Sequence, residues 1–186
     1  MTLTSKSPTP DSSEEHEHDP FVRQALEQAA FCEPVPTAFC VGCILVARLP
    51  DSEPIVLSKG FSRELPGNTH AEANALTKFE NLSSAQLQSL VSPWPWEASP
   101  VIEDILPLVD VYTTLEPCSV RTSGLPACAD ALIRARIRRC IIGVREPDDF
   151  VKCEGAQKMT DAGIEVIWYG GLEQECLDAA RRGHDI

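Results

Sequence analysis

What this sequence has little of is positive charge. Sixteen Lys and Arg stand against 28 Asp and Glu, leaving a formal net charge of -12. A nucleic-acid partner needs a basic surface to neutralise phosphates, so this composition argues against one. Long apolar runs are lacking as well. No stretch reaches the roughly 20 apolar residues that a helix needs to span a bilayer, and no membrane partner is expected. The opening "MTLTSKSPTPDSSEEHEHDP" has no apolar centre, so it does not read as an export leader.

Cysteine, by contrast, is plentiful. Eight cysteines without a leader fit a reducing compartment, and a cytoplasmic location is the expectation. They are then thiols or metal ligands rather than a disulfide framework. Residues 1–18 are polar, acidic and rich in Pro and Ser, the composition of a disordered tail, with His16 and His18 solvated in it. Residues 19–186 are long enough for one domain with a real core.

Periodicity supplies the elements. "DPFVRQALEQAAF" reads as a helix, with Asp19 as N-cap, Pro20 in the first turn and Val22, Ala25, Leu26 and Ala29 as its apolar stripe. "FCVGCILVARL" is a buried strand, and "IVLSKGFS" its hairpin partner. A helix runs from His70 to about Glu80. An irregular insertion over about 81–109 carries four prolines within its run, too many for one helix, although Ser84 to Leu90 suits a short one. The rest alternates: "VDVYTTL" strand, "PACADALIRARI" helix, "RRCIIGV" strand, "EGAQKMTDAG" helix, "IEVIWYG" strand, "LEQECLDAARRG" helix. Such alternation predicts an α/β layered domain with parallel pairs in its second half, made mixed by the opening hairpin.

The chemistry concentrates in two places. "THAEANAL" sets His70 and Glu72 two residues apart at a helix start, where they cannot form an ordinary surface pair. Taken alone, the stretch also fits a capped surface helix, with Thr69 as N-cap and Glu72 at N3. "TTLEPCSVRTSGLPACADAL" ends a strand at Leu115, places Cys118 after a proline, and puts Cys128 in the first turn of a helix. One imidazole and two thiolates make a good zinc set, and three protein ligands leave the fourth tetrahedral position for water or substrate. Glu72 then reaches the bound water without binding the metal. Both helix starts bring partial positive charge to the same point. Cys40 and Cys43 lie three apart on the first strand, where side chains face opposite sides, and so read as two core thiols.

The arrangement resembles the zinc-dependent nucleobase deaminases, whose signature is H-x-E followed by P-C-x-x-C. It departs from that form in having nine residues between Cys118 and Cys128. With that spacing the chain resembles the pyrimidine deaminases of riboflavin biosynthesis. "TLEPCS" and then "PACADAL", "HAEANAL", the strand "CVGCILV" and the closing "AGIEVIWYGGLEQEC" all match family segments in order. The resemblance implies a three-layer cytidine-deaminase-like fold, with a mixed sheet of about five strands and helices on both faces. Departures fall at Ala38-Phe39, Val120 and Ser62, where bacterial members carry Asn-Pro and two histidines that contact substrate. An altered pocket without a fused reductase is similar to the fungal, stand-alone type.

That branch implies a substrate, 2,5-diamino-6-ribitylamino-4(3H)-pyrimidinone 5'-phosphate. It loses its 2-amino group to zinc-activated water, with Glu72 as proton shuttle and His70, Cys118 and Cys128 as ligands. The ribosylamino form and other nucleobase or nucleotide substrates are the alternatives. Outside enzymes, the alternatives are a zinc-stabilised binding module and a pseudoenzyme. Arg121, Arg63 and Lys152 are the candidates for the phosphate, and Asn68 and Thr69 for the pyrimidine edge. The resemblance also implies a homodimer.

Overall fold

The computed structural model describes residues 12–121, 124–147 and 153–184. Five strands, β1 (Gly42–Ala47), β2 (Ile55–Phe61), β3 (Val109–Leu115), β4 (Arg139–Val144) and β5 (Glu165–Trp168), form one sheet in the order β2-β1-β3-β4-β5. β1 is antiparallel to β2 and β3, while β3, β4 and β5 run parallel. The mixed sheet expected from the sequence is the one found.

Seven helices accompany it among the described residues: α1 (Ser12–Phe31), α2 (Ala71–Glu80), α3 (Ser84–Leu90), α4 (Ile102–Ile105), α5 (Cys128–Ala135), α6 (Gly155–Asp161) and α7 (Glu173–Ala180). Strand alternation divides the core into two layers. Cys43, Leu45, Val111, Cys140 and Ile142 face α2, α5 and α6, packing with Ala75, Phe79, Leu132 and Met159. Ile44, Val46, Tyr112 and Ile141 face α1 and α7, packing with Val22, Ala25 and Cys176. Two glycines set how close the helices come. A Cβ on Gly42 would lie 1.9 Å from the Ala25 carbonyl oxygen of α1, and one on Gly60 would lie 2.4 Å from the Ala71 oxygen of α2.

The N-terminus corrects the sequence reading. α1 begins at Ser12, so residues 12–18 are helix rather than tail, and Pro20 lies inside the helix instead of opening it. His18 is buried, not solvated: its Nδ1 lies 2.9 Å from the Tyr112 hydroxyl. Glu17 pairs with Arg48 at 2.5 Å. These contacts to the sheet anchor the first turns of α1, whose stability as a helix rests on tertiary packing. Residues 1–11 lie outside the described residues.

The 81–109 insertion is more ordered than its prolines suggest. Ser83 and Gln86 close a capping box on α3, which runs over Ser84–Leu90 as expected. Trp94 is buried in the core and its indole N–H donates to the Glu53 carbonyl, while Trp96 donates to the Val91 carbonyl. α5 stops at Ala135 because Arg136 turns left-handed at φ 55, short of the Ile137 limit the sequence suggested. No described helix is long and apolar enough to cross a membrane. All eight cysteines are free thiols, with Cys40 and Cys43 fully buried.

Candidate active site

Parallel β3 and β4 deliver their C-terminal ends to one edge of the sheet, where ligands bind in open α/β folds. β3 ends at Leu115, and Glu116-Pro117-Cys118 continue over that edge. His70 is the N-cap residue of α2, and Cys128 is the first residue of α5. Both helix starts therefore point at Cys118. The His70 Nδ1 lies 3.5 Å from the Cys118 sulfur and 3.5 Å from the Cys128 sulfur. The Cys128 backbone N–H, at the helix tip, donates to the Cys118 sulfur at 3.3 Å. The three donor atoms all lie within 4.8 Å of one another. Among the described residues no fourth His, Cys, Asp or Glu joins them.

The protonation behaviour fits a metal-binding set. Hydrogen bonding from Cys128, joined by His70 and the helix-tip amide, holds the Cys118 thiol down at about 4. Cys128 moves the other way, first because it shares that proton with Cys118 and then because it is buried. For His70, burial acts to lower the value, but the bond to Cys118 and the charge of Glu72 outweigh it, and the net direction is up. One imidazole and two sulfurs suit zinc by donor type and by spacing.

Glu72 projects from the first turn of α2 into the same place and is 4 % exposed. Its carboxyl is pushed upward by burial, with the Cys118 charge adding to the effect. The Thr113 hydroxyl on β3 donates to it at 3.2 Å. The capping-box alternative is not realised. His70, not Thr69, is the N-cap residue, it makes no side-chain cap, and Glu72 points inward. Thr69 instead accepts from the Asn74 side chain at 3.0 Å.

A cleft of about 180 Å³ opens onto this group, and His70, Glu72, Asn68, Thr69, Arg63 and Arg121 all border it. Arg121 donates from Nη2 to the Asn68 carbonyl at 2.7 Å, tying two walls together, while its buried Nε has no partner among the described residues. Arg63 sits at φ 60 and turns its guanidinium to the Phe39 and Glu33 carbonyls and to the sulfurs of Cys32 and Cys40. Lys152 lies outside the described residues. The positions that depart from the bacterial pattern, Ala38, Phe39, Ser62 and Val120, all line the cleft. His184 stacks on Phe39 at 5.2 Å and so backs that wall. Glu146 and Cys153, from the region after β4, also line the cleft without having been singled out in the sequence. Burial pushes the Glu146 carboxyl up to about 7.

Comparison with known proteins agrees with this geometry. Residues 15–144 match the cytidine and deoxycytidylate deaminase zinc-binding region. The chain is 37% identical over 169 residues to the diaminohydroxyphosphoribosylamino-pyrimidine deaminase of Schizosaccharomyces pombe, covering 91% of this chain and 36% of that protein. It is 31% identical over 137 residues to the riboflavin biosynthesis protein RibD of Actinobacillus pleuropneumoniae, covering 73% of this chain and 28% of that one. The chain thus spans about a third of the length of these curated relatives. Among solved structures, the Rib2 deaminase of Aspergillus oryzae in complex with DARIPP superposes with a TM-score of 0.72 at 34% identity, covering 90% of this chain and 92% of that one. The donor trio, the buried carboxylate beside it and a match over most of the domain lead to one assignment: this chain belongs to the cytidine and deoxycytidylate deaminase zinc-binding family.

Proposed function

We propose that this chain removes the 2-amino group of 2,5-diamino-6-ribitylamino-4(3H)-pyrimidinone 5'-phosphate by hydrolysis, a step of riboflavin biosynthesis. One observation carries the reading: a buried carboxylate, Glu72, stands outside the metal-binding trio but borders the same cleft. A purely structural zinc site has no use for such a group. The names of the Schizosaccharomyces and Actinobacillus relatives, and the DARIPP-bound Aspergillus deaminase, support the substrate class.

His70, Cys118 and Cys128 would hold a zinc ion, which would supply Lewis acidity and make a nearby water easier to deprotonate. Glu72 does the proton work. It takes a proton from the attacking water, gives it to the ring nitrogen next to the carbon under attack, and then serves the departing amine. Water adds to the ring carbon, the bond to the 2-amino nitrogen breaks to release ammonia, and that carbon is left as a carbonyl. Thr113 orients the carboxylate, and the N-terminal ends of α2 and α5 favour the negative charge that the sulfurs carry. Arg121 and Arg63 are our candidates for the phosphate, while Asn68 and Thr69 border the ring. Lys152 stays a candidate from sequence alone. The eight free thiols support a cytoplasmic setting. The homodimer is part of the same proposal, with exposed Val120 and Leu125 as apolar surface available for it.

The test is to incubate zinc-loaded protein with the ribityl and the ribosyl forms of the diaminopyrimidine phosphate and follow ammonia release. Faster release from the ribityl form is expected. Release from the ribosyl form alone would reassign the substrate. Release from neither would overturn the proposal.

A further inference from the structure

The loop that carries Cys118 is gripped from behind by the turn that opens α6. Three bonds run from that turn to the loop. The Cys153 thiol donates to the Pro117 carbonyl at 3.4 Å, the Glu154 N–H to the Ser119 hydroxyl at 3.2 Å, and the Ala156 N–H to Glu116 Oε1 at 3.0 Å. Between them sits Gly155, where a Cβ would lie only 1.7 Å from the Pro117 carbonyl oxygen and 2.9 Å from its carbon. On the other side, the Ala129 N–H of α5 donates to the Cys118 carbonyl at 3.2 Å. Cys118 therefore depends on backbone held between two helix starts, one of which supplies Cys128.

The geometry points to Gly155 and Glu116 as positioning residues for the metal: they fix the Pro117–Cys118 backbone so that the Cys118 sulfur meets His70 and Cys128. This rests on the metal-binding reading of that trio. Gly155 acts by having no side chain. Any Cβ must push the Pro117 peptide, one residue from the ligand, because its nearest neighbour there is backbone rather than a flexible side-chain tip. Glu116 acts through its bond to Ala156 and is 3 % exposed. Its backbone N–H also donates to the Val144 carbonyl at 3.0 Å, tying the loop to the end of β4. Beyond its first turn α6 packs by Met159 into the core, so its grip on the ligand loop is confined to that turn. Partners that orient metal ligands in this way change metal affinity by about 10- to 100-fold when lost.

The experiment compares the wild-type chain with Gly155→Ala, Glu116→Ala, Glu116→Gln and Gly143→Ala. Gly143 is a packing control: a Cβ there would lie 2.4 Å from the Cys176 sulfur, on the opposite face from the zinc trio, and a looser 3.0 Å from the Thr114 carbonyl oxygen. Two readouts are taken, zinc transfer to a chromophoric chelator and the sulfur-to-cobalt absorption band of the cobalt-substituted protein. Expected are a 10- to 100-fold loss of zinc affinity and a shifted or weakened band for Gly155→Ala and Glu116→Ala. Glu116→Gln, which keeps the acceptor oxygen, stays near wild type. Gly143→Ala lowers the unfolding temperature but leaves affinity and band unchanged. A folded Gly155→Ala protein with wild-type zinc affinity and band overturns the proposal. Should Gly155→Ala not fold, wild-type affinity in Glu116→Ala overturns it instead. A wild type that takes up no zinc sinks the metal reading itself, and this proposal with it.

Discussion

Thr113 and Glu72 share one proton position with a third group. The Thr113 hydroxyl lies 3.2 Å from Glu72 Oε1 and 3.0 Å from the Leu115 carbonyl oxygen, and it has a single hydrogen to give. When Glu72 is ionised, the hydroxyl turns to the carboxylate. When Glu72 carries a proton, it can donate to the Thr113 oxygen while the hydroxyl bonds Leu115. The carboxyl thus has a partner in both states, as a proton shuttle requires.

Glu72→Gln keeps the shape and a bond to Thr113 but cannot move a proton. We expect it to bind zinc as wild type does and to lose about 100- to 10,000-fold in turnover, the usual worth of a general acid–base group. Ammonia release and metal content, measured on the same preparation, check this. Turnover near wild type would remove Glu72 from the mechanism.

Cys118→Ala and Cys128→Ala should lose the metal and with it the activity. Each leaves two protein ligands, too few for a stable site of this type. Elemental analysis of the purified variants gives the answer. Stoichiometric zinc in either one would show that the trio is not the binding set.

How much of this was legible beforehand follows from range. His70 and Glu72 fall in one short motif, and Cys118 and Cys128 lie at the ends of elements whose periodicity was clear, so chain order alone suggested the site. β3 and α3 occupy the expected residues for the same local reason. What depended on distant partners was not legible. The α1 extension is fixed by Tyr112 and Arg48, far along the chain, and no pattern in residues 12–18 announces them. Glu146 and Cys153 enter the cleft only because the parallel β3–β4 pair brings the region after β4 beside Cys118. The inward turn of Arg63 reflects a left-handed backbone that its sequence does not advertise.

Arg121 offers a test of phosphate binding. Among the described residues its buried Nε has no partner, and Arg121 lines the cleft where the proposed function places the substrate phosphate. A hydrogen bond to a charged group contributes about 1.5–3 kcal/mol. Arg121→Ala should therefore lower kcat/KM by about 10- to 100-fold, mostly through KM, with zinc content unchanged. Steady-state kinetics separate the two constants, and an unchanged KM would pass the role to another cation.

Asp110 holds the far end of the sheet together. It is fully buried and bonded at 2.7–3.1 Å by Arg138 and Arg139, with Arg48 Nε at 2.9 Å. Burial alone would raise its carboxyl, but the bonds from Arg139 and Arg138 outweigh that and hold it below the usual range. Asp110→Ala leaves three guanidinium groups facing one another. The expected loss is about 3 kcal/mol, the lower end for breaking a buried pair, because the arginines are partly exposed. Denaturant unfolding measures it, and a change within 0.5 kcal/mol, roughly the size of an ordinary surface substitution, would refute it.

His18 gives the fold a pH dependence of definite sign. Burial, with Arg139 next, lowers its pKa below the ordinary 6.5. The geometry agrees: Arg48 donates to the Tyr112 oxygen at 2.8 Å, so the Tyr112 hydroxyl is free to donate to an unprotonated His18 Nδ1 at 2.9 Å. Between the folded and unfolded values the unfolded chain binds the extra proton. The contribution of His18 is therefore complete above about 6.5 and is lost as the pH falls below it. His18→Gln should be less stable than wild type at pH 8, and the gap should narrow on acidification toward pH 5. Urea midpoints at both pH values decide the matter. A gap that widens on acidification would mean that His18 is charged in the native state.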